Sequence, residues 1–429
     1  MFFALAIFSI AVVAFLLFLI LFEPGLKYHL KTPPPDLCLE SEDYLHLLGA
    51  VADAEIHRHS RVEVLTNGPA FYEAELAAIR EAKTTVHLEA YIFYKSEIGR
   101  RYVQALTERA KAGVKVRLVI DYVGSFTTWD SYFDGLRKAG GEIHWYQPLR
   151  WYTFKRFNNR THRELLIVDG AVGFIGGAGV GDEWFKGVNG QPAWRDTMFR
   201  VTGELVTGLQ TSFAENWLES ADEVLFDRVD FPFCTEERRR THPGDTRGLV
   251  VISAPTAGRA TRARVLFQTL LASARKTIHI NSPYFLPDAS TRREIIRAIK
   301  ERGVEVKIIT PGRKADHTLT RRSSRRRYGD LLKAGAQICE YQPAMIHAKT
   351  LVIDGLWVVV GSTNFDNRSF GLNDEVNLAA ADRELAARLG EDFGNDLNQS
   401  KRITYAQWRR RPLWQRAQEW VGLLLERQQ

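Results

Sequence analysis

The chain has 429 residues, 45% of them hydrophobic, with a formal net charge of +7. That is ample material for two ordinary domains with their own cores. Three widely spaced cysteines, Cys38, Cys234 and Cys339, exclude a Cys-x2-Cys metal cluster and a disulfide framework. The positive balance attracts any polyanion, so it does not separate lipid from nucleic acid.

In chain order, Met1 to Phe22 is apolar except for Ser9. A helix of that length covers about 33 Å, so residues 1–22 are predicted to be an uncleaved transmembrane anchor. The absence of a basic n-region and of Ala-x-Ala before Glu23 disfavours a signal peptide. Lys27 and Lys31 follow the span, which predicts a cell-membrane protein with one N-terminal pass and a cytoplasmic body. Residues 23–60 read as linker and juxtamembrane segment, with Pro33-Pro34-Pro35 a stiff spacer.

From Arg61 the pattern becomes α/β. Thr85 to Phe93 and Val114 to Ile120 read as strands, Phe71 to Ala82 and Gly99 to Ala112 as helices. The second half repeats the order: Thr277-Ile278-His279-Ile280 answers Thr85-Val86-His87-Leu88, and Tyr341-Gln342-Pro343 answers Tyr146-Gln147-Pro148. Such alternation predicts a largely parallel sheet with helices on both faces, built twice, as domains 61–235 and 249–400. They join near Cys234 to Gly248, a charged loop without periodicity. The first half carries ten extra residues within Leu149 to Arg160. There Trp151, Tyr152, Phe154 and Phe157 alternate with basic residues, as in a loop that touches lipid or a long substrate. The arginines from Arg321 to Arg327 read as a solvated face. Residues 401–429 read as a basic aromatic helix, either in a headgroup layer or packed on the body.

The functional signal lies between Met345 and Ser369. His347 and Lys349 start an apolar run, Thr350 to Ile353, stopped by Asp354-Gly355, which reads as a strand entering a hairpin. Residues two apart on a strand share a face. The return strand, Trp357 to Val360, brings Ser362 and Asn364 back towards His347. Histidine, lysine, hydroxyl and amide converging on one spot suit an oxyanion, most simply a phosphate. A second copy stands at Thr161 to Val180, with His162 and Asp169 spaced as His347 and Asp354 are. Two such hairpins imply two halves facing across a shared site.

The pattern H-x-K-x4-D followed by G-S-x-N resembles the signature of the phospholipase D superfamily, and its surroundings resemble the cardiolipin synthase branch. The second copy matches at His347, Lys349, Asp354, Ser362, Asn364 and Glu375. The first matches at His162 and Asp169, with Asp196 where the acidic partner is expected; Glu164, Gly177 and Gly179 replace lysine, serine and asparagine. The resemblance implies two similar α/β sandwich domains in pseudo-twofold arrangement. It also implies a phosphatidyltransferase that makes cardiolipin and glycerol from two phosphatidylglycerols through a phosphohistidine. His162 is then the nucleophile and His347 the acid and base. Lys349, Ser362 and Asn364 would surround the phosphoryl oxygens, and Glu375 and Asp196 would fix the imidazoles. Asp169 and Asp354 brace the strand ends. No metal or other cofactor is expected.

Glu164 sets a carboxylate beside a phosphate, a repulsion of about 4 kcal/mol at about 4 Å and an effective dielectric near 20. It is held protonated, or it pairs with Arg160, Arg163 or Arg195, or this half-site is dead. Arg160, Arg195, Glu164 and Trp151 are therefore candidate substrate contacts. The implied partners are phosphatidylglycerol and a membrane, with no obligate nucleic acid and an open oligomeric state. Phospholipid hydrolysis, a nuclease and a non-catalytic lipid binder are the alternatives.

Overall fold

The computed structural model describes residues 2–21, 30, 36–150, 158–232, 244–255, 261–416 and 419. Its strands are β1 (Ile56–Thr66), β2 (Thr85–Ala90), β3 (Lys115–Asp121), β4 (Glu142–Tyr146), β5 (Arg160–Thr161), β6 (Glu164–Val168), β7 (Val172–Gly176) and β8 (Thr197–Gly203). The second half adds β9 (Thr246–Ser253), β10 (Thr277–Asn281), β11 (Glu305–Pro311), β12 (Gln337–Tyr341), β13 (Thr350–Ile353), β14 (Trp357–Gly361), β15 (Asn373–Ala381) and β16 (Ser400–Ile403).

One mixed sheet contains them, in the order β16-β12-β11-β10-β13-β14-β15-β9-β1-β8-β7-β6-β2-β3-β4, with β5 paired to β15. From the central β9–β1 pair outwards the two halves read alike, each with a hairpin (β7-β6, β14-β13) and then three parallel strands (β2-β3-β4, β10-β11-β12). Helices Gly68–Glu81 and Glu97–Lys111 cover one face of the first half, packing Leu76, Ile79 and Leu106 on Val86 and Leu88. Helix Leu205–Ala221 buries Leu209, Phe213 and Trp217 on the other face. That second core runs on into Val358, Val376 and Leu389 of the second half, so the halves share it.

The expectation of a largely parallel sheet is corrected. Among the described residues ten of the fifteen strand pairings are antiparallel. Helical crossovers generate parallel pairs only at β2-β3-β4 and β10-β11-β12, and the hairpins and the central strands do the rest.

The predicted membrane anchor is also corrected. Among the described residues no helix is long and apolar enough to cross a membrane. The helix Phe2–Leu21 forms. The single-pass cell-membrane placement with a cytoplasmic body falls with the anchor.

Part of the predicted linker is packed structure. Helix Glu42–Ala52 is capped by Ser41, whose side chain accepts from the Tyr44 N–H. It buries Tyr44, Leu45, Leu48 and Ala52 against Leu249, Leu270 and Trp357 of the second half. Trp357 Nε1 donates to the Leu39 carbonyl (2.8 Å). At the other end, Trp408 lies against Gly329 and donates to the Arg325 carbonyl (2.7 Å), so this part of the C-terminal segment packs on the body. Arg321 and Arg325 pair with Glu340 (2.8 and 3.2 Å), which places them in structure rather than in a solvated face. Trp151 and the other aromatics of the ten-residue insertion, Pro33 to Pro35, Cys234 and Trp420 lie outside the described residues.

Candidate active site

Each histidine begins where a hairpin strand meets the other half. The His162 N–H donates to the Asp374 carbonyl (2.9 Å) and the His347 N–H to the Arg195 carbonyl (2.7 Å). The imidazoles follow the same crossed pattern. His162 Nδ1 lies 3.0 Å from Glu375 Oε1, and His347 Nδ1 lies 2.8 Å from Asp196 Oδ2. Burial alone would push both acids up, yet their histidine partners hold each carboxyl below the usual range, so both are ionised acceptors. An ionised acceptor at Nδ1 places the proton there and leaves Nε2 with a lone pair.

The acids are themselves held. Asp196 accepts from Trp184 Nε1 (2.9 Å) and from the Thr197 N–H (2.8 Å). Glu375 accepts from the Ser362 hydroxyl and, at 3.5 Å, from Asn373 Nδ2. Ser362, fully buried, thus stands behind a carboxylate. Lys349 Nζ lies 3.2 Å from both ring nitrogens of His347. Burial lowers the Lys349 ammonium below its ordinary value, with Asp196, Glu375 and Glu164 acting against that. Burial, then Lys349, lowers His347.

Glu164 stands at the start of β6. Its side chain is buried and accepts from the Tyr91 and Ile92 N–H groups (3.2 and 3.4 Å). Burial pushes its carboxyl well above the ordinary range, against the two N–H groups and Lys349, which act to lower it. The three arginines are directed elsewhere: Arg163 to Glu215 (2.6 Å), Arg195 to Asp396 (2.9 Å) and Arg160 towards Asp121 (3.5 Å). The two glycines fit this packing. A Cβ at Gly177 would come within 2.7 Å of Lys349 Nζ, and one at Gly179 within 2.7 Å of the Ile92 carbonyl and 3.2 Å of Glu164. Lys349 of the second half thus occupies the space that a side chain at Gly177 would need.

Asp169 and Asp354 occupy the hairpin turns in left-handed conformation, φ 52° and 55°. Asp169 accepts from the N–H groups of Lys83, Thr84 and Thr85, and Asp354 from those of Arg275, Lys276 and Thr277. They anchor β2 and β10 at the ends away from the histidines.

A cavity of about 590 Å³ opens on this centre, lined by His162, Asn364, Tyr91 and Tyr284 among others. His347 is not among its lining residues. It sits deeper, against Trp184 and Trp194 (ring centres 5.3 and 5.4 Å) and beside Tyr284 (6.4 Å). The sequence reading missed Asp366, two residues after Asn364 in the same loop; that spacing was the available signal. Among the described residues no group of three or more His, Cys, Asp or Glu side chains is disposed to hold a metal ion.

A duplicated mixed sheet with two crossed imidazole–carboxylate pairs defines a phospholipase D-like protein. The fold agrees: the crystal structure of the phosphatidylserine synthase of Haemophilus influenzae superposes with a TM-score of 0.70 at 14% identity, over 90% of this chain and 99% of that one. Residues 76–189 and 267–397 match the family model described as cardiolipin synthase, PLD-like domain. A cardiolipin synthase of Listeria monocytogenes is 35% identical over 384 residues, 89% of this chain and 78% of its own length. The major cardiolipin synthase ClsA of Bacillus subtilis is 34% identical over 388 residues, 90% and 79% respectively. The chain belongs to the cardiolipin synthase family of PLD-like proteins.

Proposed function

We infer that this protein is a phosphatidyltransferase that joins two phosphatidylglycerols into cardiolipin and releases glycerol. Its residues 61–235 and 249–400 would act as two pseudo-twofold domains on substrate taken from a lipid surface. The observation that carries the reading is the crossed pairing of His162 with Glu375 and of His347 with Asp196. Family membership and sequence identity over most of the chain support it.

His162 attacks phosphorus through Nε2. A P–N bond forms as the P–O bond to glycerol breaks, and His347, in its protonated form, gives that proton to the departing oxygen. The hydroxyl of a second phosphatidylglycerol then loses its proton to His347 and attacks the same phosphorus, breaking the P–N bond. Lys349 and Asn364 stabilise the phosphoryl oxygens. Glu164, whose carboxyl burial shifts towards the protonated form, would then add no repulsion.

The test uses a His347→Ala variant and a phosphatidyl donor with a p-nitrophenolate leaving group, which departs without a proton. One equivalent of p-nitrophenolate per enzyme and a covalent adduct on His162 are expected. Neither burst nor adduct, or an adduct elsewhere, would refute the assignment. With phosphatidylglycerol vesicles the wild type yields cardiolipin; phosphatidic acid alone would make it a hydrolase.

A further inference from the structure

The cavity beside His162 has a floor of which the catalytic steps above use only Asn364, on the phosphoryl oxygens. Asn364, Asp366 and Asn373 line it and are only 3%, 2% and 5% exposed. Among the described residues, Asn364 Oδ1 and Asn373 Oδ1 are buried without a hydrogen-bond partner. An orphaned buried acceptor costs about 1–3 kcal/mol, so two of them in one floor call for a ligand that brings donors. Asp366 uses Oδ1 to accept from the Ser369 N–H (2.7 Å). Burial pushes its carboxyl up to about 7, so near neutrality it can both donate and accept.

Three polar groups with that mixture suit hydroxyls, which are donor and acceptor at once. An ammonium suits them less, because Arg368 lines the same cavity. Arg368 also reaches Asn158, the described end of the ten-residue insertion (3.0 Å to Oδ1), which ties the rim of this floor to that segment. An apolar alcohol would leave both amide oxygens unsatisfied.

We propose that Asn364, Asp366 and Asn373 form a subsite for the hydroxyls of a glycerol head group, placed so that a vicinal diol is held beside His162. The subsite rests on the transferase reading and adds to it the basis on which an acceptor or leaving alcohol is chosen.

The test is a competition among isotopically labelled glycerol, 1,2-propanediol, 1-propanol and ethanolamine as soluble acceptors, with phosphatidylglycerol vesicles as donor. Mass spectrometry reads the phosphatidyl products, and any effect on the donor cancels in their ratio. The wild type should favour glycerol and the diol over 1-propanol by about tenfold or more. Asp366→Leu and Asn373→Leu should shift that ratio at least about fivefold towards 1-propanol while still forming phosphatidylpropanol. A wild-type ratio near one, a preference for ethanolamine, or an unchanged ratio in folded variants overturns the subsite and leaves the transferase intact. Phosphatidic acid as the only product overturns the transferase reading, and the subsite with it. Should both leucine variants fail to fold, the wild-type ratio and that of the near-isosteric Asp366→Asn decide the matter.

Discussion

At the residue scale the spacing of His162, Asp169, His347 and Asp354 brought out the duplicated motif, while Asp196 and Glu375 came only with the family resemblance it carries. The crossed partnership of histidines and acids was not legible, because sequence gives no distance between residues 162 and 375. Glu164 shows the same limit. Read in isolation it opposes a phosphate; burial in the fold shifts its carboxyl towards the protonated form. Glu164→Gln, its neutral isostere, should therefore keep turnover within about threefold of wild type. Glu164→Lys should lower turnover by at least about tenfold, because a second buried ammonium would face Lys349 at a cost of about 4 kcal/mol for like charges roughly 4 Å apart. Steady-state cardiolipin formation by both variants decides it, and higher activity in the lysine variant would mean a decayed site. Glu375→Gln and Asp196→Asn should each reduce kcat by about 10–100-fold with KM for lipid unchanged, since each acid acts through an imidazole. Equal loss in kcat and gain in KM would argue for collapse of the pocket instead.

At the scale of elements, the repeated strands and helices of both halves were readable from their periodicity. Helix Glu42–Ala52 was passed over, although Ser41 with Glu42 and Asp43 is a start signal and its apolar residues recur at helical spacing. Leu48→Ala should cost about 2–5 kcal/mol in a denaturant titration, as expected for a fully buried leucine rather than a linker residue. Another consequence concerns Glu75, on helix Gly68–Glu81, which accepts from the Tyr102 hydroxyl of the neighbouring helix. Burial pushes its carboxyl up to about 7, against which the Tyr102 hydrogen bond acts. The unfolded chain loses that proton near pH 4.3, so the folded state holds one more proton between about pH 4.5 and 7. Stability falls as pH rises through that window and is level above it. Glu75→Gln removes this contribution. Relative to wild type it should gain on the order of 3 kcal/mol between pH 4 and pH 8. Denaturation midpoints that move in parallel for both proteins across that range would contradict it.

At the scale of the molecule, the duplication was evident from the two motif copies, but the joining of both copies in one sheet was not. Nothing in the composition of β1 or β9 names its neighbour, and the β1–β9 pairing of Ile56 with Leu249 depends on register alone. Side chains reinforce the junction: buried Arg195, beside the first-half Asp196, pairs with Asp396 of the second half at 2.9 Å. Arg195→Ala strands that carboxylate and should cost about 3–5 kcal/mol, with activity falling in the same denaturant range as the fold. A loss under about 1 kcal/mol would show the two halves to be held by the sheet alone.

The continuous sheet also limits how lipid can come and go. Backbone hydrogen bonds cross the seam between the halves, and hinging them apart would break a ladder and split a common core. Clamshell breathing is thereby closed to this enzyme. A phospholipid would then have to reach the cavity beside His162 without the halves parting. Turnover then depends on side chains and rim loops, and a crosslink pinning β1 to β9 should leave the rate untouched.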